Sequence, residues 1–173
     1  MNFEEKVCEQ IPSLRRYARS LCGNEIEAED LVQDCLERAL RKRHLWRTRG
    51  GIRPWLFRLL YNLFLNHLSS ARVRRESTAA DAGWELKVDA AQESQLECRD
   101  AVQAVQGLPP DQRAALMLMV LEAPSYQEAA KILGINVGTL RSRLSRAREA
   151  VRRQCESDVE AEPAPGPLLR RVK

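Results

Sequence analysis

The chain has little with which to do covalent chemistry. Of 173 residues only two are histidine, His44 and His67, and five are cysteine. The cysteines (Cys8, Cys22, Cys35, Cys98, Cys155) are odd in number and scattered, with no C-x-x-C pair and no histidine near a cysteine pair. That excludes the common zinc and disulfide frameworks and reads as reduced thiols in a cytoplasmic protein. There is no Gly-Lys-Ser/Thr phosphate loop and no nucleophile with a base to serve it. No catalytic residue, metal site or cofactor is therefore expected, and the chain is not read as an enzyme. Met1, Asn2 and Phe3 run straight into Glu4 and Glu5, which is not a signal-peptide pattern. Long hydrophobic runs are missing too. The most apolar stretch, Trp55 to Leu68, is too short to span a bilayer and is broken by Arg58, Asn62 and Asn66, so no membrane insertion is expected.

One absence is local. From Arg38 to Arg75 there are eleven Lys or Arg and not one acid. Just before it the order is reversed, with Glu25, Glu27, Glu29, Asp30, Asp34 and Glu37 ahead of any base. Acids at a helix start and bases at its end complement the helix dipole, but that effect reaches only the terminal turns. A basic run of this length fits a polyanionic partner, and the acidic face of the same helix fits a basic protein. The net charge is only +4, so the distribution carries the information.

The apolar spacing is helical throughout. Phe3, Val7, Ile11, Leu14, Ala18 and Leu21 form one stripe, closed by Gly23, with Pro12 a potential late start. Asn24 caps a second helix, with Glu27 at the capping-box position, and Leu31, Val32, Cys35, Leu36, Ala39 and Leu40 as its stripe. Arg47 to Ile52 reads as a loop, and Pro54 sits in the first turn of a third helix. That helix is apolar on most faces and must be largely buried. Five of the nine aromatics fall between Trp46 and Phe64, among arginines and amides. Core packing suits each ring singly, whereas the segment as a whole has the stacking faces and cations that bind single strands. From Glu76 to Gln92 the periodicity dissolves into a linker, and after Glu156 the chain becomes acidic, then Pro-rich, then basic, as in a disordered tail. The fold class expected is all-α: two small helical domains, 1–75 and 93–155, joined by a flexible linker, 76–92, with a tail at 156–173.

The second domain holds the strongest motif. After Leu108-Pro109-Pro110 interrupts one helix and Pro124 ends the next, residues 125–148 read SYQEAAKILGINVGTLRSRLSRAR. A short helix capped by Ser125, a turn at Gly134 and a helix capped by Asn136 make a helix-turn-helix. Ala130 is small where the two helices would cross. Val137, Leu140, Leu144 and Ala147 stack on one face of the second helix, leaving Gly138, Thr139, Ser142, Ser145 and Arg146 on the opposite one. Between Asn136 and Arg153 there are six arginines against a single Glu149. Short polar residues beside long cations suit a helix entering a DNA major groove, where Arg pairs bidentately with guanine. A solvated basic helix in a bundle would need only the charge.

Three segments in order, AEDLVQDCLERAL at 28–40, IRPWLFRLLYNLFLNHL at 52–68 and LPPDQRAALML…SYQEAAKILGINVGTLRSRLSRAR at 108–148, resemble the small RNA polymerase sigma factors of the extracytoplasmic-function (ECF) group. The resemblance implies that residues 1–75 are region 2 and 93–155 region 4. It implies core RNA polymerase, promoter DNA and an anti-sigma factor as partners. Asp30, Asp34 and Glu37 are then expected to dock on the polymerase. The 47–52 loop and the following helix, with Arg47, Arg49, Arg53, Arg58 and Asn62, are expected to trap the downstream promoter element as it melts. Asn136, Thr139, Arg141, Ser142, Arg143, Ser145 and Arg146 are expected to hold the upstream element. Asn136 departs from the Pro or Ser more usual at its position. Two rival functions are a sigma-like decoy that binds an anti-sigma factor and a stand-alone helix-turn-helix regulator. A decoy does not need the basic recognition surface, and a stand-alone regulator does not need the basic, aromatic-rich first domain.

Overall fold

The computed structural model describes the backbone of residues 2–46, 51–77 and 101–160, and the side chains of 2–46, 51–71 and 101–156. The fold is all-α. In chain order the helices are α1 (Phe3–Cys22), α2 (Glu25–Arg41), a 3-10 turn (Arg43–Leu45), α3 (Ile52–Ser77), α4 (101–106), α5 (Pro110–Glu122), α6 (Tyr126–Leu133) and α7 (Val137–Glu160). The proposed linker at 76–92 lies almost wholly, and the tail at 156–173 largely, outside the described residues, as do Arg47 and Arg49.

Local chemistry sets most of the ends. Asn2 and Glu5 form a capping box on α1, and Gly23 ends that helix in the left-handed region at φ +70°. Asn24 accepts from the Ile26 and Glu27 amides to start α2. Ser125 and Glu128 box the start of α6, and Gly134 closes it at φ +67°. The Asn136 side chain accepts from the Thr139 amide, 2.7 Å, as the N-cap of α7.

Two helices differ from the sequence expectation. α1 runs through Pro12 rather than starting near it, with Pro12 on the exposed side, where the carbonyl left without a donor can meet water. α3 extends well past Leu68, to Ser77. Pro54 costs nothing in its first turn, where amides have no intrahelical acceptor, and no breaker follows before residue 77.

The buried apolar residues of both halves form one continuous core, from Val7 in α1 to Ala147 in α7. This is why α3 is apolar on most faces: it packs against α1 and α2 on one side and α6 on another. α5 in turn lies on α1. Polar bonds stitch the junction. The Tyr17 hydroxyl donates to the Ala114 carbonyl, 3.0 Å, in a buried setting. Gln106 of α4 donates to the Ser20 carbonyl, 3.1 Å, and accepts from Arg113 of α5, 2.7 Å. Gln106 crowds Gly23 so closely that a Cβ there would lie 2.6 Å from its Oε1. Where the pattern suggests two separate domains, the described helices are packed against each other.

Candidate nucleic-acid interface

α7 is held by the face that the spacing predicts. Leu140, Leu144 and Ala147 are buried, and so is Ala130 beneath them. Asn136, Arg141, Ser142, Ser145 and Arg146 are exposed, and Thr139 is half-buried. These residues form one polar surface of short side chains flanked by cations. The Ser142 hydroxyl donates to the Thr139 carbonyl, 2.9 Å, so it offers a ligand its lone pairs first. Arg141 lies over the Tyr126 ring, 5.8 Å from guanidinium carbon to centroid. An open groove beside this face is lined by Tyr126, Arg141, Leu144, Ser145, Arg148, Glu149 and Arg152, with Arg152 paired to Glu149 at 3.1 Å.

Arg143 stands apart. Its side chain is only 20% exposed and its Nε is 3.1 Å from Asp111 of α5. It also makes a hydrogen bond with Tyr61 of α3. Burial raises the Tyr61 hydroxyl above its ordinary pKa even though the Arg143 charge and hydrogen bond pull the other way. Of the predicted α7 contacts, Arg143 is therefore engaged inside the molecule.

The first half shows the same behaviour at two more positions. Arg53 forms an ion pair with Glu122 at the end of α5. Arg58 donates to the Lys131 carbonyl at the end of α6, 3.2 Å. Asn62, one turn further along α3, is exposed. The aromatics divide. Phe57, Tyr61 and Phe64 are buried in the core. Trp46 and Trp55 are half-buried and pack on Phe3, with ring centroids 5.5 and 6.2 Å away. Trp46 also has the Lys6 ammonium over its ring, 5.2 Å away, and donates to the Gly51 carbonyl, 3.4 Å.

The acidic face of α2 presents Asp30, Asp34 and Glu37 to solvent. Asp34 lies 3.2 Å from His67 of α3. The earlier acids are partly neutralised, Glu25 by Arg19 at 2.7 Å and Glu29 by Arg15 at 2.9 Å. Among the described residues the later acids meet the His67 imidazole and no guanidinium. Burial, reinforced by Glu27 in one case and Asp34 in the other, pushes the Cys22 and Cys35 thiols up to about 12. A thiol held protonated at neutral pH is a poor nucleophile, so these two are core side chains.

Sequence reasoning missed several junction residues. Tyr17 lies three residues after Leu14 in the α1 stripe, so its spacing was a usable signal. Arg16, Gln106 and Glu122 had none, because their partners lie far away in sequence.

Two family models match the chain: Sigma2 domain of PhyR over residues 7–61, and Sigma-70, region 4 over residues 98–151. The ECF RNA polymerase sigma factor EcfG of Rhodopseudomonas palustris (strain TIE-1) is 37% identical over 147 residues, covering 85% of this chain and 81% of that protein. The chain belongs to the ECF sigma factor family. The ECF RNA polymerase sigma-E factor of Escherichia coli (strain K12) is 34% identical over 137 residues, 72% of each chain. Among solved structures, the sigma factor RpoE of Bartonella quintana, in complex with the anti-sigma factor NepR, is 31% identical, with a TM-score of 0.79 over 90% of this chain and 98% of that one. The first match ends within α3 and the second begins at residue 98, and the helix-turn-helix at 125–148 lies wholly within the second. No helix among the described residues is long and apolar enough to cross a membrane.

Proposed function

We propose that this protein is an alternative sigma factor whose two halves divide the promoter between them. Residues 93–155 act as region 4 and hold the upstream element through Asn136, Thr139, Arg141, Ser142, Ser145 and Arg146, with Arg143 on the phosphate flank once freed from Asp111. Residues 1–75 act as region 2. There Arg47, Arg49, Arg53, Arg58 and Asn62 capture the downstream element as it opens, while Asp30, Asp34 and Glu37 dock on core RNA polymerase. The protein works in the cytoplasm, is regulated by an anti-sigma factor and catalyses no reaction of its own. Strand opening in this reading is driven by binding: bases captured out of the stack repay the cost of unpairing.

The observation that carries the reading is the exposed polar and cationic face of α7, held in place by the opposite, buried face. The same observation weighs against the decoy, although the first half matches the Sigma2 domain of PhyR, which in Bartonella quintana is an anti-anti-sigma factor. A decoy gains nothing from an intact base-reading surface. The test is run-off transcription with purified core polymerase and genomic fragments. Discrete transcripts that need this protein are expected. Tight binding to an anti-sigma factor with no dependent transcript would favour the decoy. In the same assay Asp34→Arg is expected to weaken core binding with an unchanged circular dichroism spectrum, because a like charge is added where a contact is lost.

A further inference from the structure

Glu122 is the last residue of α5, and its side chain is only 3% exposed. Two guanidiniums of the other half meet it. Arg53 of α3 pairs with Oε2, and Arg16 of α1 lies 3.6 Å from Oε1. Both arginines keep about half or more of their side-chain surface in solvent, 48% and 61%. A buried carboxylate between two cations from a separate segment is an occupied oxyanion seat. Arginine binds carboxylate and phosphate oxygens with the same planar donor geometry, so a seat built for one accepts the other.

We propose that Arg16 and Arg53 form a phosphate seat for single-stranded nucleic acid, and that Glu122 fills this seat while the two halves are packed together. Arg53 is a downstream-element residue in the function proposed above, and the inference rests on that reading. Arg16 is new to it. Two neighbouring contacts act in the same direction. Arg58 is spent on the Lys131 carbonyl and Arg143 on Asp111 and Tyr61. In the packed chain the guanidiniums of Arg53, Arg58 and Arg143 are thus turned toward acceptors of the other half or of a neighbouring helix. A polyanion, or a polymerase surface that separates the halves, must displace Glu122 before the seat is free. Any ligand that binds only the separated form is weakened by the fraction of chains that are packed.

The experiment uses the full chain and a fluorescein-labelled random-sequence single-stranded DNA, with anisotropy followed across a salt series. Glu122→Gln keeps the shape and removes the competing charge. It is expected to bind more tightly than wild type, with a steeper salt dependence, by about 0.7 unit of slope for each phosphate contact regained. Glu9→Gln, on an exposed site of α1, makes the same change in net charge and is expected to leave the slope where it was. Arg16→Gln separates a seat from a simple latch. Added to Glu122→Gln, it is expected to remove about 0.7 unit of that slope. If Arg16→Gln and Glu122→Gln strengthen binding alike, Arg16 only holds the halves together and the seat is overturned. It is also overturned if Glu122→Gln gains no more than Glu9→Gln. Run-off transcription by the wild-type holoenzyme, measured alongside, reports on the sigma function separately, since it can succeed whether or not Glu122 occupies the seat.

Discussion

The two halves of this sigma factor pack with different side chains and present their arginines differently. The first half fills its core with large residues: Tyr17, Phe57, Leu14, Leu21, Leu31, Leu56 and Leu60 are all under 2% exposed. The second buries leucines as deeply, Leu118, Leu140 and Leu144, but sets more alanines among them: Ala104, Ala114, Ala115, Ala129, Ala130 and Ala147, against Ala18, Ala28 and Ala39 in the first. Large side chains fix the spacing of three long helices. Small ones let α5, α6 and α7 approach closely, and the caps at Ser125, Gly134 and Asn136 then set their directions. The surfaces differ to match. Arg53 and Arg58 of the first half are turned into the junction, whereas Arg141 and Arg146 of α7 face solvent. In the proposed function the second half meets duplex DNA as it stands, and Arg53 and Arg58 of the first reach DNA once Glu122 and the Lys131 carbonyl no longer engage them.

The largest effect is expected where the two cores meet. Phe57 is 1% exposed, and its ring centroid lies 5.4 Å from that of Tyr17, whose hydroxyl bonds to α5. Truncation of a buried aromatic costs about 3–5 kcal/mol. Phe57→Ala should therefore lower the midpoint of a urea melt followed both by tryptophan fluorescence and by exchange of amides in α5. A loss confined to the first half, with α5 amides exchanging as in wild type, would break the comparison by showing that the core is not shared.

An intermediate effect sharpens the contrast between free and engaged arginines. Arg146 is exposed on the reading face, so Arg146→Ala should cost about 1–3 kcal/mol of discrimination at one position of the upstream element. Arg143→Ala should instead weaken binding to all sequences and lower the salt slope by about one unit. Selection from a randomised upstream element distinguishes them. An unchanged preference in Arg146→Ala would move base reading to Arg141 and Ser142.

The smallest effect concerns the cap that starts the helix-turn-helix. Ser125→Ala should cost about 1 kcal/mol of stability in a thermal melt at neutral pH. The cap is also pH-dependent. The Ser125 backbone amide first, and its hydroxyl second, hold the Glu128 carboxyl below its ordinary pKa. A group whose pKa falls on folding contributes stability that is complete above its unfolded value and lost as pH drops through its folded value. The gap between wild type and Ser125→Ala should therefore narrow as the pH is lowered through the carboxylate range. A gap that persists in acid would mean that the hydroxyl caps the helix without help from the carboxylate.

Much of this was legible in the sequence because it is local. Gly23, Asn24, Ser125, Gly134 and Asn136 announce helix ends through their own backbone and side-chain preferences, and the Leu140–Leu144–Ala147 spacing identifies the buried side of α7. The length of α3 beyond Leu68 was less legible, since a polar stretch without a breaker has no signal of its own. Val120 sits among apolar neighbours yet is 64% exposed, while Leu118 two residues earlier is buried, because the direction in which α5 packs is decided by α1 and α7. The junction could not be read at all. The pairing of Arg53 with Glu122, or of Arg143 with Tyr61, joins segments that share no periodicity, and only the packed chain brings them together.

The division of labour between the halves is tested most directly by permanganate reactivity of unpaired thymines in promoter complexes of the holoenzyme. Asn62 is exposed on α3 and should act after duplex binding, whereas Arg146 should act before it. Asn62→Ala is expected to retain the footprint over the upstream element and to lose thymine reactivity downstream. Arg146→Ala is expected to lose occupancy at the native upstream element and to recover both signals on a promoter whose upstream element has been reselected. Normal thymine reactivity in Asn62→Ala, or a failure of Arg146→Ala to be rescued by any upstream sequence, would contradict the account.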